Sequence, residues 1–286
     1  MKTRIITAVV GIAFLALVML GFNTMFFNLV VAAITLIAVH EVYNALAFEK
    51  KDCLLYLVLV PYTLLVMLSS YDRIRPLMMM ASFAILVFYC IYLVVRNGVV
   101  SFEKTAALLM YSGIIIFCFY CFIYLKKLLP VANYGYDAVF FILLILCFAW
   151  GGDTCAYFAG RAFGKHKLCP VVSPKKTVEG AIGGVLGTMI FGVLATVIYS
   201  VAANRTEAFT RSNIGVSMYL IIAFLGIIAA VLGIYGDLFA SVVKRQCGIK
   251  DYGTIFPGHG GVLDRFDSVM FIAPFVTMVI TVVFYR

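Results

Sequence analysis

Carboxylates stand at the borders of two long apolar stretches near the carboxyl end of the chain. Asp237 directly follows the uncharged run 212–236, and Asp264 and Asp267 come just before the uncharged run 268–285. A spacing of three residues places Asp264 and Asp267 on one face of a helix that begins there. Hard cations such as Mg²⁺ bind in proteins through one or two carboxylates together with substrate phosphates. The pattern therefore predicts a Mg²⁺ site with Asp237 and Asp264 as ligands and Asp267 beside them.

Basic and glycine residues fill the polar segment 241–267 between these stretches. Lys and Arg side chains suit phosphate oxygens, and glycine lets backbone amides approach an anion closely. If the helix before the segment continues inward, Asp237, Ser241 and Lys244 lie on one face. A plain loop would explain the Lys and Arg but not the carboxylates, and His259 suits a structural role equally well. The predicted phosphate-binding and orienting residues are Lys244, Arg245, Asp251, His259, Gly260, Gly261, Arg265 and Asp267.

A second polar cluster, residues 173–180, precedes another apolar run. Ser, Lys and Thr residues before a helix bind phosphate through their side chains and through the helix N-terminus. Ser173 or Thr177 also fits a helix N-cap, with Glu179 favoured in the first turn, and capping is compatible with phosphate binding. The predicted phosphate ligands of this cluster are Ser173, Lys175, Lys176 and Thr177.

These clusters must be positioned by a membrane-embedded scaffold, because 64% of the 286 residues are hydrophobic and only 12% are charged. A soluble domain carries about 25% charged residues, so soluble, disordered and fibrous classes are excluded. Continuous hydrophobicity in the apolar runs argues against a membrane β-barrel. A spanning helix needs about 20 apolar residues, which predicts an all-α, polytopic membrane protein with about nine transmembrane helices. The runs are 5–39 (two helices), 53–71, 77–95, 105–125, 138–160, 180–204, 212–236 and 268–285.

The charges between the runs predict the orientation and the partners. Lys and Arg outnumber Asp and Glu by 22 to 13, and a cytoplasmic N-terminus places most of them inside, as the positive-inside rule requires. Basic segments of this kind suit phosphate-bearing substrates or anionic lipid. Nucleic acid is not expected, because the basic residues lie in short segments between apolar runs. We expect residues 1–135 to be a scaffold for dimer or lipid contacts, and residues 136–286 to be the catalytic domain, with cytoplasmic loops 161–179 and 241–267.

Two further acidic residues lie within or at the end of apolar runs. Asp153 interrupts the run 138–160, and a carboxylate in a span is costly, so a polar cavity or a cation partner is expected beside it. His40 and Glu41 end the second predicted helix, where we expect a helix-end role rather than a functional one.

The motif of the segment 241–267 resembles that of the phosphatidate cytidylyltransferase family, the CDP-diacylglycerol synthases. Residues 151–153, 160–161 and 173–180 are also similar to this family, whereas Ala240 departs from it, since many relatives carry Glu there. The residues that carry the resemblance are Ser241, Lys244, Arg245, Lys250, Asp251, Pro257, His259, Gly261, Asp264, Arg265 and Asp267.

The resemblance implies an integral membrane enzyme of the bacterial inner membrane, with its active site facing the cytoplasm. It would make CDP-diacylglycerol and pyrophosphate from CTP and phosphatidic acid, with Mg²⁺ as its cofactor. The resemblance also implies that the enzyme is a homodimer. A related CTP-dependent polyprenol or dolichol kinase is one alternative. A transporter is another, but a transporter gathers its polar groups near the bilayer midplane. Here they collect toward one face, which favours an enzyme.

Overall fold

The computed structural model describes residues 2–71, 74–205, 215–256, 258 and 260–284. Within these residues the chain is almost entirely helical, which confirms the predicted all-α class. The α-helices are α1 (Lys2–Leu20), α2 (Met25–Ala45), α3 (Leu54–Leu57), α4 (Leu59–Met67), α5 (Arg75–Val95), α6 (Phe102–Leu128), α7 (Val131–Tyr134), α8 (Asp137–Leu146), α9 (Gly152–Phe163), α10 (Val178–Arg205), α11 (Val216–Gln246), α12 (Leu263–Phe266) and α13 (Val269–Phe284). Short 3₁₀ and π segments cover Lys50–Asp52 and Cys147–Gly151.

Six helical stretches of the described chain are long and apolar enough to cross a bilayer, which confirms a polytopic membrane protein. Two shorter apolar helical stretches, Val9–Leu20 and Val269–Val282, accompany them. The predicted total of nine transmembrane helices and the cytoplasmic N-terminus stay predictions. The six long stretches are Met25–Ala45, Pro76–Val95, Phe102–Leu128, Asp137–Phe163, Val178–Ala202 and Val216–Gln246.

The apolar run 53–71 differs from the single continuous helix expected there. It forms two short helices, α3 and α4, which meet at Val58. Pro61 lies in the first turn of α4 and has no N–H to donate to the carbonyl four residues earlier, so the helix is interrupted at this point.

The cluster that precedes α10 is a β-hairpin, a feature absent from the sequence prediction. Its strands are β1 (Lys167–Cys169) and β2 (Ser173–Thr177), which pair antiparallel with Lys167 opposite Thr177. The predicted helix cap at the end of the hairpin is confirmed, because the Thr177 hydroxyl accepts a 3.1 Å hydrogen bond from the N–H of Gly180.

The chain forms two compact units. The N-terminal unit comprises Met1–Tyr124 and Cys247–Arg265, and the C-terminal unit comprises Leu125–Gln246 and Phe266–Arg286. In the N-terminal unit, α2 packs against α4 and α4 packs against α5. The buried Asn28 amide secures this packing by donating to the carbonyl of Met67 at 2.6 Å and to the Ser70 hydroxyl at 2.9 Å.

The C-terminal unit is built around α10, which packs against α9 and α11, while α11 packs against α13. The approach of α10 to α9 depends on small residues: a Cβ at Gly183 would lie 2.2 Å from the Cβ of Ala159. The glycines of α10 therefore serve helix packing, as is typical of small residues in lipid. A π-helical segment, Cys147–Gly151, comes just before α9 and therefore just before Asp153.

Candidate active site

Helix α11 carries the first part of the site. It continues past Gly236 to Gln246, as predicted, so that Asp237, Ser241 and Lys244 follow one another along one face. The Ser241 hydroxyl donates to Oδ1 of Asp237 at 3.3 Å, and Ser241 and Lys244 are both buried. The helix thus presents a carboxylate and an ammonium group two turns apart on one face.

The hairpin supplies a cation to the same carboxylate. Nζ of Lys176 in β2 lies 2.6 Å from Oδ2 of Asp237, and both side chains are about a quarter exposed. A predicted phosphate-binding lysine and a predicted metal-binding aspartate are therefore direct partners. The neighbouring Lys175 is exposed, and Ser173 is partly exposed.

Glu179 secures the hairpin that carries Lys176. Its carboxylate accepts the N–H groups of Lys165 at 3.0 Å and His166 at 3.2 Å, and it contacts Nδ1 of His166 at 2.7 Å. The first turn of α10 therefore fixes the start of β1, while Thr177 caps the same helix. His166 is an exposed residue at this junction rather than a member of a metal site.

Two more carboxylates accompany Asp237 in the C-terminal unit. Asp267 was predicted to begin the last helix, but it lies in the turn before α13. There its Oδ1 accepts the N–H of Ser268 at 2.9 Å. The Ser268 hydroxyl donates to Oδ2 of Asp153 at 3.1 Å. We call Asp153, Asp237 and Asp267 the carboxylate cluster.

The electrostatics of the carboxylate cluster follow from its crowding. Burial raises the pKa of Asp267 well above its ordinary value, and the negative charges of Asp237 and Asp153 raise it further, while Lys244 and the Ser268 N–H oppose the shift. Lys176 pairs with Asp237, and Lys244 lies close enough to oppose the shift at Asp267. A bound cation would lower the pKa of Asp267 again, because an opposite charge favours the ionised carboxylate.

A small cleft opens beside Asp153, between helices of the C-terminal unit. Its walls are apolar or glycine except for Asp153, Thr188 and Ser268. The cavity beside Asp153 is therefore mostly apolar, whereas a polar cavity or a cation partner was expected. It is lined by Phe148, Ala149, Gly152, Asp153, Ala156, Gly184, Thr188, Ala230, Gly233, Ile234, Ser268 and Ile272.

The donor set of the C-terminal unit fits a hard cation. Among the described residues, no three His, Cys, Asp or Glu side chains converge closely enough to hold a metal on their own. Mg²⁺ does not require this, because it usually keeps waters and is completed by substrate phosphates. Asp237, with the neighbouring members of the carboxylate cluster, offers one or two carboxylates of this kind.

Asp264, the second predicted metal ligand, lies in the N-terminal unit and is buried in α12, ahead of the last helix. Its Oδ2 accepts the N–H groups of Tyr252 at 2.8 Å and Gly261 at 2.9 Å, which fixes the orientation of the carboxylate. The Gly261 amide, predicted to bind an anion, thus binds this carboxylate. Gly260 adopts a φ of +84°, and a Cβ there would lie 2.8 Å from the same oxygen.

The remaining predicted site residues belong to both units. Arg245 is exposed at the end of α11, and Asp251 and Arg265 are exposed in the N-terminal unit's segment Cys247–Arg265. His259 lies outside the described residues. The joint use of Asp237 and Asp264 as metal ligands stays a prediction.

Two residues of structural weight escaped the sequence analysis. Ser268 joins two members of the carboxylate cluster, and no sequence signal distinguishes it. Glu41 is not merely a helix-end residue, because its two oxygens accept the N–H groups of Val262 and Leu263 at 2.8 Å each. A carboxylate at the end of an apolar run was the available signal for Glu41.

These features define a polytopic membrane protein whose polar site combines aspartates and lysines suited to a metal ion and phosphates. A family model described as the cytidylyltransferase family matches residues 2–283. The chain therefore belongs to the cytidylyltransferase family, and the predicted family membership is confirmed.

Curated bacterial proteins are similar to the chain over nearly its whole length. It is 33% identical to a phosphatidate cytidylyltransferase of Bacillus subtilis (strain 168), over 96% of each chain. It is 32% identical to a protein of the same name from Staphylococcus haemolyticus (strain JCSC1435), over 98% of this chain and 99% of that one. A shorter match, 39% identical over 49% of this chain and 45% of the other, is to the phosphatidate cytidylyltransferase of Haemophilus influenzae.

Proposed function

We propose that the chain is a phosphatidate cytidylyltransferase, which makes CDP-diacylglycerol and pyrophosphate from CTP and phosphatidic acid. A phosphate oxygen of phosphatidic acid forms a bond to the α-phosphorus of CTP. The bond from that phosphorus to the β-phosphate bridging oxygen breaks, and pyrophosphate leaves with the electron pair. Near full-length similarity to two bacterial proteins of that name carries this proposal.

The reaction needs alignment and charge neutralisation more than proton transfer. A phosphate monoester titrates near pH 6, so the lipid phosphate is largely dianionic at pH 7 and needs little help from a base. Two anionic reactants must instead be brought together in line. Lysine and arginine side chains near a carboxylate-bound cation are suited to this task.

In this proposal the hairpin and α11 each supply a phosphate-binding lysine. Lys176 and Lys244 bind phosphate oxygens, and Asp237 orients Lys176 through their 2.6 Å ion pair. Lys176 is paired with Asp237 before the substrates bind. Bound phosphates would therefore share its ammonium group with the aspartate. We assign the exposed cations Lys175, Arg245 and Arg265 to the triphosphate and the lipid phosphate.

We propose Mg²⁺ as the cofactor, bound through Asp237 and completed by phosphates of CTP. When bound, Mg²⁺ would neutralise charge on the transferring and leaving phosphates. Asp264 is proposed as a further ligand, and Asp267 and Asp251 as groups that orient neighbouring cations. The crowding of three carboxyl groups in the carboxylate cluster supports the choice of a hard cation.

We further propose that the protein resides in the bacterial plasma membrane as a homodimer, with the site facing the cytoplasm. The location follows from the substrates, since a diacyl lipid stays in the bilayer and CTP arrives from the cytoplasm. The dimer rests on the family resemblance alone.

An assay with doubly labelled CTP distinguishes the candidate activities. The purified protein in vesicles that contain phosphatidic acid receives CTP labelled in the cytosine ring and in the γ-phosphate. Cytosine label in the lipid, with γ-label in pyrophosphate, is the expected result. Transfer of γ-label to a polyprenol supplied in parallel vesicles would indicate a lipid kinase instead, and uptake of intact CTP into the vesicle lumen would indicate a transporter.

A further inference from the structure

Two buried carboxylates of the N-terminal unit accept backbone N–H groups from residue 252 and from residues 261–263. Asp264 accepts the N–H groups of Tyr252 and Gly261, and Glu41 accepts those of Val262 and Leu263. Three consecutive amides, 261 to 263, therefore all donate to carboxylate oxygens. We call the described residues between 252 and 263 the carboxylate-bound loop.

Glu41 contributes to this arrangement from a remote part of the sequence. It lies in α2 and is only 3% exposed. Oε1 accepts the Val262 N–H and Oε2 accepts the Leu263 N–H, each at 2.8 Å, so both oxygens are used. The hydrogen-bonded residues are 221 and 222 positions apart in the chain.

The loop is shaped to admit the Glu41 carboxylate. A Cβ at Gly253 would lie 2.5 Å from Oε1, and a Cβ at Gly261 would lie 2.4 Å from the same atom. Both glycines therefore leave space that only the carboxylate fills. Any side chain at either position would push Glu41 away from the amides.

The position of Glu41 matters because of what the loop carries. The segment that it anchors leads directly into Asp264 and Arg265, and Asp251 stands at its other end. A buried carboxylate is costly unless hydrogen bonds compensate it. An apolar residue at position 41 would avoid the cost of burying a carboxylate. It would leave the N–H groups of Val262 and Leu263 without the acceptor that Glu41 provides.

We infer that Glu41 is a positioning residue, which holds residues 261–263 so that Asp264 and Arg265 keep the orientation needed to bind metal and phosphate. This inference rests on the proposed function for the role of Asp264 and Arg265. It assigns to the N-terminal half of the chain a part in the reaction beyond scaffolding.

The test uses Glu41→Gln in the full-length protein in detergent, without nucleotide or metal. The amide has nearly the same shape but accepts only one of the two N–H groups and presents an NH₂ group to the other. Hydrogen exchange measured by mass spectrometry on the peptide that contains residues 261–263 should accelerate at least about ten-fold. Glu103→Gln, at an exposed position on α6, is the matched control and should exchange as the wild type does.

Two further variants keep the test decisive if Glu41→Gln does not fold. Glu41→Asp retains the charge with a shorter reach and should give a smaller acceleration. Gly253→Ala displaces the carboxylate from the other side and should accelerate the same peptide, whereas Gly113→Ala, where a Cβ meets nothing within 4 Å, should not. Unchanged exchange at 261–263 in a folded Glu41 variant, or acceleration spread evenly over the chain, would overturn the inference.

Kinetics then separate positioning from general stability. In folded Glu41→Gln we expect the Mg²⁺ concentration for half-maximal CMP transfer to rise about five-fold or more, because Asp264 is held less firmly. A loss of active protein with an unchanged Mg²⁺ requirement would overturn the positioning role. If the wild type transfers no CMP, the proposed function fails, while the exchange experiment still decides whether Glu41 holds the loop.

Discussion

Lys176 and Asp237 form an ion pair of 2.6 Å between the hairpin and α11. The two residues were predicted from separate clusters, one for phosphate and one for metal, that lie 61 positions apart in the sequence. Their contact means that the hairpin and α11 act as one site. It also means that the ammonium group of Lys176 offsets the charge of Asp237 before any metal ion binds.

Replacing Lys176 should weaken the handling of phosphates. Lys176→Ala removes a charged partner worth about 1.5–3 kcal/mol, so we expect the KM for CTP or for phosphatidic acid to rise about ten-fold or more. Lys176→Arg should retain part of the activity because the charge remains. The control is Lys51→Ala, which removes an exposed ion pair with Glu49 and should leave both KM values unchanged. Unchanged kinetics in Lys176→Ala would remove this lysine from the site.

Glu179→Gln should loosen the hairpin without touching a phosphate-binding side chain. The carboxylate accepts two backbone N–H groups at the start of β1, and an amide cannot replace both charge-assisted bonds. We expect faster hydrogen exchange at residues 165–169 and a KM for CTP that shifts in the direction of Lys176→Ala, but less. Glu103→Gln again serves as the control. A hairpin that exchanges at the wild-type rate would show that Glu179 does not secure it.

Gly236→Ala should separate α11 from the turn that carries Asp267. A Cβ at this position would lie 2.6 Å from the backbone carbonyl oxygen of Asp267, which cannot move without shifting the chain. Overpacking of this kind costs about 1–3 kcal/mol, so thermal unfolding should begin at lower temperature and CMP transfer should fall. Gly113→Ala, which meets open space, should be neutral in both measurements. Equal stability of the two variants would argue against the close approach.

Asp267→Asn should stabilise the folded protein at neutral and alkaline pH. The pKa of Asp267 is raised in the folded state by burial and by Asp237 and Asp153. Between the ordinary aspartate pKa, near 4, and the raised one, the folded state binds the proton more tightly, so its stability falls as pH rises. The unfolding temperature of Asp267→Asn should exceed that of the wild type at pH 8, and the gain should shrink toward pH 4. A constant difference between the two proteins at all pH values would contradict the assignment.

Local features of the fold and site were predictable from the sequence because they depend on short spacings. The continuation of α11 through Asp237 and Ser241 follows from helical periodicity, and the cap at Thr177 follows from its position before an apolar run. The family motif of residues 241–267 is recognisable in the sequence alone.

Contacts between distant residues could not be predicted in the same way. The pairing of Lys176 with Asp237 depends on how a hairpin returns to a helix, and no single spacing encodes it. Ser268 looks like an ordinary residue at the start of an apolar run, and Glu41 looks like a polar residue at a helix end. Their roles emerge only from the backbone N–H and carboxylate partners that folding brings to them. The interruption of the helix at Val58 was not predicted, because the continuous hydrophobicity of residues 53–71 indicated a single helix despite Pro61.

The most direct measurement is the rate of CMP transfer from labelled CTP to phosphatidic acid across a Mg²⁺ titration, in the wild type and in Asp237→Asn. We expect transfer in the wild type to require Mg²⁺. The folded Asp237→Asn variant should be slower by a factor of roughly a hundred or more at every Mg²⁺ concentration. Wild-type turnover in Asp237→Asn, or transfer by the wild type that is equally fast in the presence of a chelator, would contradict the proposed site.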